Sequence, residues 1–136
     1  MSSFDVCLDH ENRLVKVTAF GEIYLKNGEE IITAARTTAA EHRYNIIYDF
    51  RKTQTIVSYA DLYNLARRLE VYSIPETRRV KAAIIISPDD KAVEDYKFYE
   101  IVTDNVGIQL RIFFDETEAE KWATGKLPKN NENTVE

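Results

Sequence analysis

At 136 residues the chain has the length of a single domain, long enough to bury a core without disulfides or metal. Its 18 basic side chains are scattered and outnumbered by 23 acidic ones, which argues against nucleic acid as a partner, since such binding rests on neutralising phosphates. The lone Cys7 excludes an internal disulfide, and no apolar window reaches the length of a transmembrane segment. Residues 1–13 lack the basic start and apolar run of a secretion signal, so the cytoplasm is the expected compartment.

Residues 4–9 and 13–20 alternate apolar and polar side chains around the polar triplet His10-Glu11-Asn12, the pattern of a β-hairpin. Asn27 followed by Glu30 predicts a capped helix start, and Ile31, Ile32, Ala35 and Ala39 form a helical stripe as far as about Glu41. Residues 45–50 predict a third strand ending in a polar loop over 51–55. Ser58 with Asp61 then heads a second helix, whose apolar side is Leu62, Leu65, Ala66, Leu69 and Tyr72 and which stops before Pro75. Residues 81–87 predict strand four. Ser87, Pro88 and Asp90 supply a cap, a first-turn proline and an acid for helix three, which runs to Val106 with Gly107 as its left-handed stop. Residues 108–114 predict strand five, and Asp115 with Glu118 opens a short helix that turns Ala119, Trp122 and Ala123 inward. The polar composition beyond Lys126 predicts a disordered tail over 127–136, leaving one domain over 1–126.

The strands also predict how the helices are distributed. Strand five sets Ile108, Leu110, Ile112 and Phe114 against Gln109, Arg111 and Phe113, and strand three sets Ile46, Tyr48 and Phe50 against Ile47 and Asp49. A sheet covered on both faces carries unbroken apolar runs, and only residues 82–86 read that way. The expected architecture is therefore an α/β fold with a five-stranded mixed sheet, an N-terminal hairpin followed by parallel strands in chain order. Right-handed βα crossovers place its four helices mostly on one face. The second face, with Ile47 and Phe113, and the edge of the hairpin are expected to be open and to favour a homodimer.

No catalytic or metal-binding constellation is visible. The four glycines do not form a phosphate-cradling turn, Asp49 has no acidic neighbours at its strand end, and His10 and His42 lack the spacing of a zinc site. The chain is therefore read as non-enzymatic, with no cofactor. Ser58 is placed to cap helix two and, equally, to carry a phosphate against the helix N-terminus. Tyr59, Tyr63 and Arg67 form a stripe at the margin of the core face, and these are the residue types that most often anchor interfaces. Tyr96 and Tyr99 of helix three, facing Tyr48 and Phe50 of strand three, are the candidate lining of an apolar pocket.

This order of elements, hairpin, helix, strand, Ser-headed helix, strand, helix, strand and short Trp-bearing helix, resembles the STAS family of SpoIIAA-like anti-sigma-factor antagonists. It looks most like the small stand-alone bacterial proteins grouped beside that family, which often finish with a strand and helix like residues 113–123. The resemblance implies a protein partner, a kinase or an anti-sigma-like regulator, docking on the loop after strand three and on helix two. In the antagonists that loop carries a phosphorylated Ser in an Asp-Ser-Ser-Gly-Leu-like motif. Aligned on Leu62, the phosphorylated position falls on Ala60; aligned on the distance from Asp49, it falls near Ser58; the motif's Gly is absent in both. The fold is also similar to that of the CRAL-TRIO domains, which implies as an alternative the binding or carrying of a small apolar ligand or lipid.

Overall fold

In the computed structural model, which describes residues 3–125, five strands lie side by side in chain order. β1 (Ser3–Asp9) and β2 (Leu14–Ile23) pair antiparallel, and β3 (Asn45–Thr55), β4 (Ala82–Ile85) and β5 (Leu110–Phe113) follow, each parallel to the one before. Parallel neighbours need a crossover. α1 (Leu25–His42) joins β2 to β3; α2 (Tyr59–Arg68), a 3-10 turn (Glu70–Ser73) and the single-turn α3 (Pro75–Arg78) join β3 to β4; α4 (Val93–Asn105) joins β4 to β5. α5 (Glu116–Thr124) ends the described chain, so there are five helices among the described residues where four were expected, α3 being the addition. The proposed tail over 127–136 lies outside the described residues.

The strand alternation sorts the core as the sequence suggested. Val15, Val17 and Ala19 of β2, Ile46, Tyr48 and Phe50 of β3 and Ala82 and Ile84 of β4 share one face and pack against α1, α2 and α4. The other face is not open. Leu14, Ile47, Ala83 and Ile85 are buried beneath Ala119 and Ala123 of α5, and Ile47 is only 4% exposed. Alanines four residues apart let this helix approach the sheet closely. Phe113 and Trp122, 5.8 Å between ring centroids, close its flank under the cations of Lys81 and Arg111. Ile47 is thereby withdrawn from any exposed apolar surface and Phe113 is partly covered, while the edge strand β1 still exposes Val6 and Leu8.

Four local expectations are corrected. α1 begins at Leu25, because Asn27 acts not as the cap but from the third helical position, its Oδ1 accepting the Tyr24 amide at 2.6 Å. The polar stretch 51–55 is not a loop. β2 continues past an irregularity at Thr18/Phe20 and pairs Phe20–Ile23 with Lys52–Thr55, so backbone pairing overrides side-chain polarity there. α2 ends at Arg68, where Leu69 turns extended (ψ 124°), and Tyr72 falls in the 3-10 turn. α4 begins only at Val93, because the Asp90 side chain accepts the Ala92 amide at 2.7 Å and holds residues 87–92 in turns. Gly107 does take the expected left-handed conformation, φ +82°.

Candidate functional site

The head of α2 lies where β3 hands the chain to the helix layer. Ser58 is extended, and its Oγ accepts the Asp61 amide at 3.1 Å, which satisfies one of the helix's orphan donors as the sequence suggested. Ser58→Ala is expected to cost about 1 kcal/mol of stability, measurable as a lowered urea midpoint with an unchanged slope.

Leu62, Leu65 and Ala66 carry the burial of α2. Tyr59 and Tyr63 instead stand outward, 51% and 46% exposed, beyond the core margin where they were expected. The Tyr59 ring lies 4.6 Å from that of Phe98 on α4, and the Arg67 guanidinium sits 5.3 Å from the Tyr63 ring centroid. α4, packed beside α2, adds exposed Ile101 one turn beyond Phe98. The three residues of the stripe therefore form a solvent-facing aromatic and cationic surface whose rings are already held by neighbours.

The four pocket residues also come together. Tyr48, Phe50, Tyr96 and Tyr99 wall a cavity of about 60 Å³ between the sheet and α1, α2 and α4, near the carboxyl ends of β2 and β3. The Tyr96 hydroxyl pairs with Thr55, and the Tyr99 hydroxyl bonds the Tyr72 hydroxyl at 2.7 Å. Burial pushes the phenols of Tyr48, Tyr96 and Tyr99 well above the ordinary value. Asp95 also lines the cavity; burial, with Asp90 and Glu94 nearby, pushes its carboxyl up.

Sequence reasoning passed over Arg36. This residue is 0% exposed, its Nη1 donates to the backbone carbonyls of Thr77 (2.8 Å) and Val80 (3.4 Å), and its guanidinium lies 4.9 Å from the centroid of Tyr72. The signal was an arginine one turn beyond Ile32 on the otherwise apolar stripe of α1. Elsewhere, His10 shares a 2.7 Å hydrogen bond with Tyr44, and Asp49 forms an ion pair with Arg51 at 2.7 Å that holds its carboxyl low. Among the described residues no three His, Cys, Asp or Glu side chains gather as metal ligands, and no helix is long and apolar enough to cross a membrane.

No family model and no curated protein matches the chain. Among solved structures, it is similar to an uncharacterized protein of the DUF3478 family from Shewanella loihica PV-4, described as having a SpoIIAA-like fold. The TM-score is 0.53, with 90% of this chain and 93% of that one covered. The fold is SpoIIAA-like. At 13% identity the likeness is one of architecture. In this SpoIIAA-like frame, the Ser58 cap, the tyrosine stripe and the cavity all lie on the side of the sheet covered by α1, α2 and α4, with α2 contributing to each.

Proposed function

We propose that the protein is a non-enzymatic regulatory domain of STAS type, working in the cytoplasm, that docks a protein partner on α2 and the loop before it. The observation that carries this reading is the outward placement of Tyr59 and Tyr63 on a helix whose packing is already satisfied by Leu62, Leu65 and Ala66. Tyrosine and arginine bury large area behind a polar tip, and rings already braced by Phe98 and Arg67 lose little entropy on binding. A phosphate on exposed Ser58 would meet the positive end of α2 and alter this surface electrostatically, so a kinase is a fitting partner and an anti-sigma-like regulator a fitting target. A second copy would pair along the β1 edge, away from α2.

Tyr63→Ala tests the reading when pull-down from the native host is combined with a thermal melt. The expected result is loss of the partner with stability lowered by only about 0.5–1 kcal/mol, the worth of an exposed cation–π contact. Undiminished recovery of every interactor by the folded variant would show the surface to be the wrong one. The lipid-carrier reading has less support, since a cavity of about 60 Å³ falls well short of the roughly 300–1,000 Å³ typical of pockets for larger ligands.

A further inference from the structure

We propose that β1 is the docking edge for a second copy of this chain, joined antiparallel about a two-fold axis at Val6 so that the two five-stranded sheets become continuous. This rests on the β1 pairing given above and is independent of docking on α2. The two edges of the sheet are built differently. At the far edge β5 is four residues long, Arg111 is exposed, and a Glu100 carboxylate oxygen accepts the Ile112 amide at 3.2 Å. Shortness, charge and cover are devices that keep an edge from recruiting another strand. β1 lacks the shortness and the cover. It runs seven residues in unbroken register with β2, without proline, lysine or bulge, and nothing among the described residues takes its outer backbone groups. α1 packs over β2 and β3, so Val6 and Leu8 stay 38% and 37% exposed.

Residue parity and charge select both the occupant and the register. Directly opposite residues in an antiparallel pair share a face, so the axis must fall on a residue of β1. Phe4, Val6 and Leu8 share the α1 face with Ala19, Val17 and Val15, and Ser3, Asp5, Cys7 and Asp9 share the other. An axis at Val6 sets Phe4 opposite Leu8 and Val6 opposite its own counterpart, which carries the apolar row of β2 and β1 across the junction. On the other face it sets Ser3 opposite Asp9 and Asp5 opposite Cys7, so no two acids meet. An axis at Asp5 would bring two aspartates face to face, and one at Cys7 would oppose Asp5 to Asp9, and like charges directly opposite are destabilising. Axes nearer the strand ends overlap less of β1. The Val6 arrangement is isologous and closed, so it uses up the edge instead of propagating it.

The test is sedimentation equilibrium of the intact protein and of Val6→Lys, together with cross-linking of the double variant Val6→Cys/Cys7→Ser in oxidised glutathione. The expected result is a dimer whose dissociation constant rises at least about tenfold in Val6→Lys, because two ammonium groups would meet at the axis. A thermal melt checks that this variant is folded, and cross-linking decides the matter by itself should it not be. Cysteines at position 6 should join the two copies, since opposite residues lie about 4.5–5.5 Å apart. Cys7 of the unaltered protein should not, its counterpart lying diagonally at roughly 7–8 Å. Tyr63→Ala should leave the dimer intact, which separates failure here from failure of docking on α2. A monomer, with β1 empty or filled by a different chain, a dimer equally tight in folded Val6→Lys, or linkage through Cys7 in place of position 6 would overturn the assignment.

Discussion

Raising the pH past 10.0, the ordinary value for a phenol, is expected to unfold this protein over a narrow range, because Tyr48, Tyr96 and Tyr99 are held neutral by burial. Their folded pKa values lie above the unfolded ones, so the contribution is fully present below 10.0 and is lost as pH rises, when the unfolded chain releases protons that the folded one retains. Each such phenol tilts the equilibrium by about 1.4 kcal/mol per pH unit, and three together by about 4. Against a domain stability of about 5–15 kcal/mol, one or two pH units decide the outcome. Urea melts across this range, read with tyrosinate absorbance, should show the three phenols ionising together with loss of structure. Ionisation of all tyrosines near 10.0 in a still-folded protein would contradict the buried cluster.

Ala119→Glu is expected to be the more damaging of two glutamates placed on α5, costing more than about 3 kcal/mol. Ala119 is fully buried against the sheet beside Ala83 and Ile85, where a carboxylate would have to be neutralised or the helix displaced. Displacement would uncover Leu14 and Ile47. Thr117→Glu, on the exposed side of the same helix, is expected to stay within about 0.5 kcal/mol. Chemical denaturation with a hydrophobic-surface dye separates the two, and equal stability for both variants would mean that α5 does not cover the sheet.

Much of this fold was legible because period-two alternation and helix caps are local signals. Ile46, Tyr48 and Phe50 face the helices as their spacing required, and Ser58 and Asp115 cap α2 and α5. What escaped depends on pairing between distant segments. The extension of β3 through residues 51–55 is specified by β2 running alongside, and polar alternation there suits a half-exposed strand as well as a loop. The cover over Ile47 follows from Ala119 and Ala123, whose smallness reads as neutral until a sheet is placed beneath them. Asn27 and Ser87 are good cap residues that lost to a neighbour, Tyr24 in one case and the Asp90 turn in the other.

The candidate sites divide the same way. The cavity rings were readable from the faces of β3 and α4, and all four meet at one cavity. The helical wheel placed Tyr59 and Tyr63 at the core margin, but Leu62, Leu65 and Ala66 take up the buried side of α2 and both rings stand in solvent. Arg36 was hidden by the habit of reading an arginine as a surface residue, although its position four residues after Ile32 put it on the buried stripe.

The docking role of α2 is tested most directly by a photo-crosslinking phenylalanine analogue placed at position 63 in the native host, with the same analogue at exposed position 117 as the control. The predicted result is a crosslink to one protein species from position 63, absent from position 117 and suppressed when Tyr59→Ala is added. The same adducts from both positions, or none from position 63 in the folded protein, would contradict it.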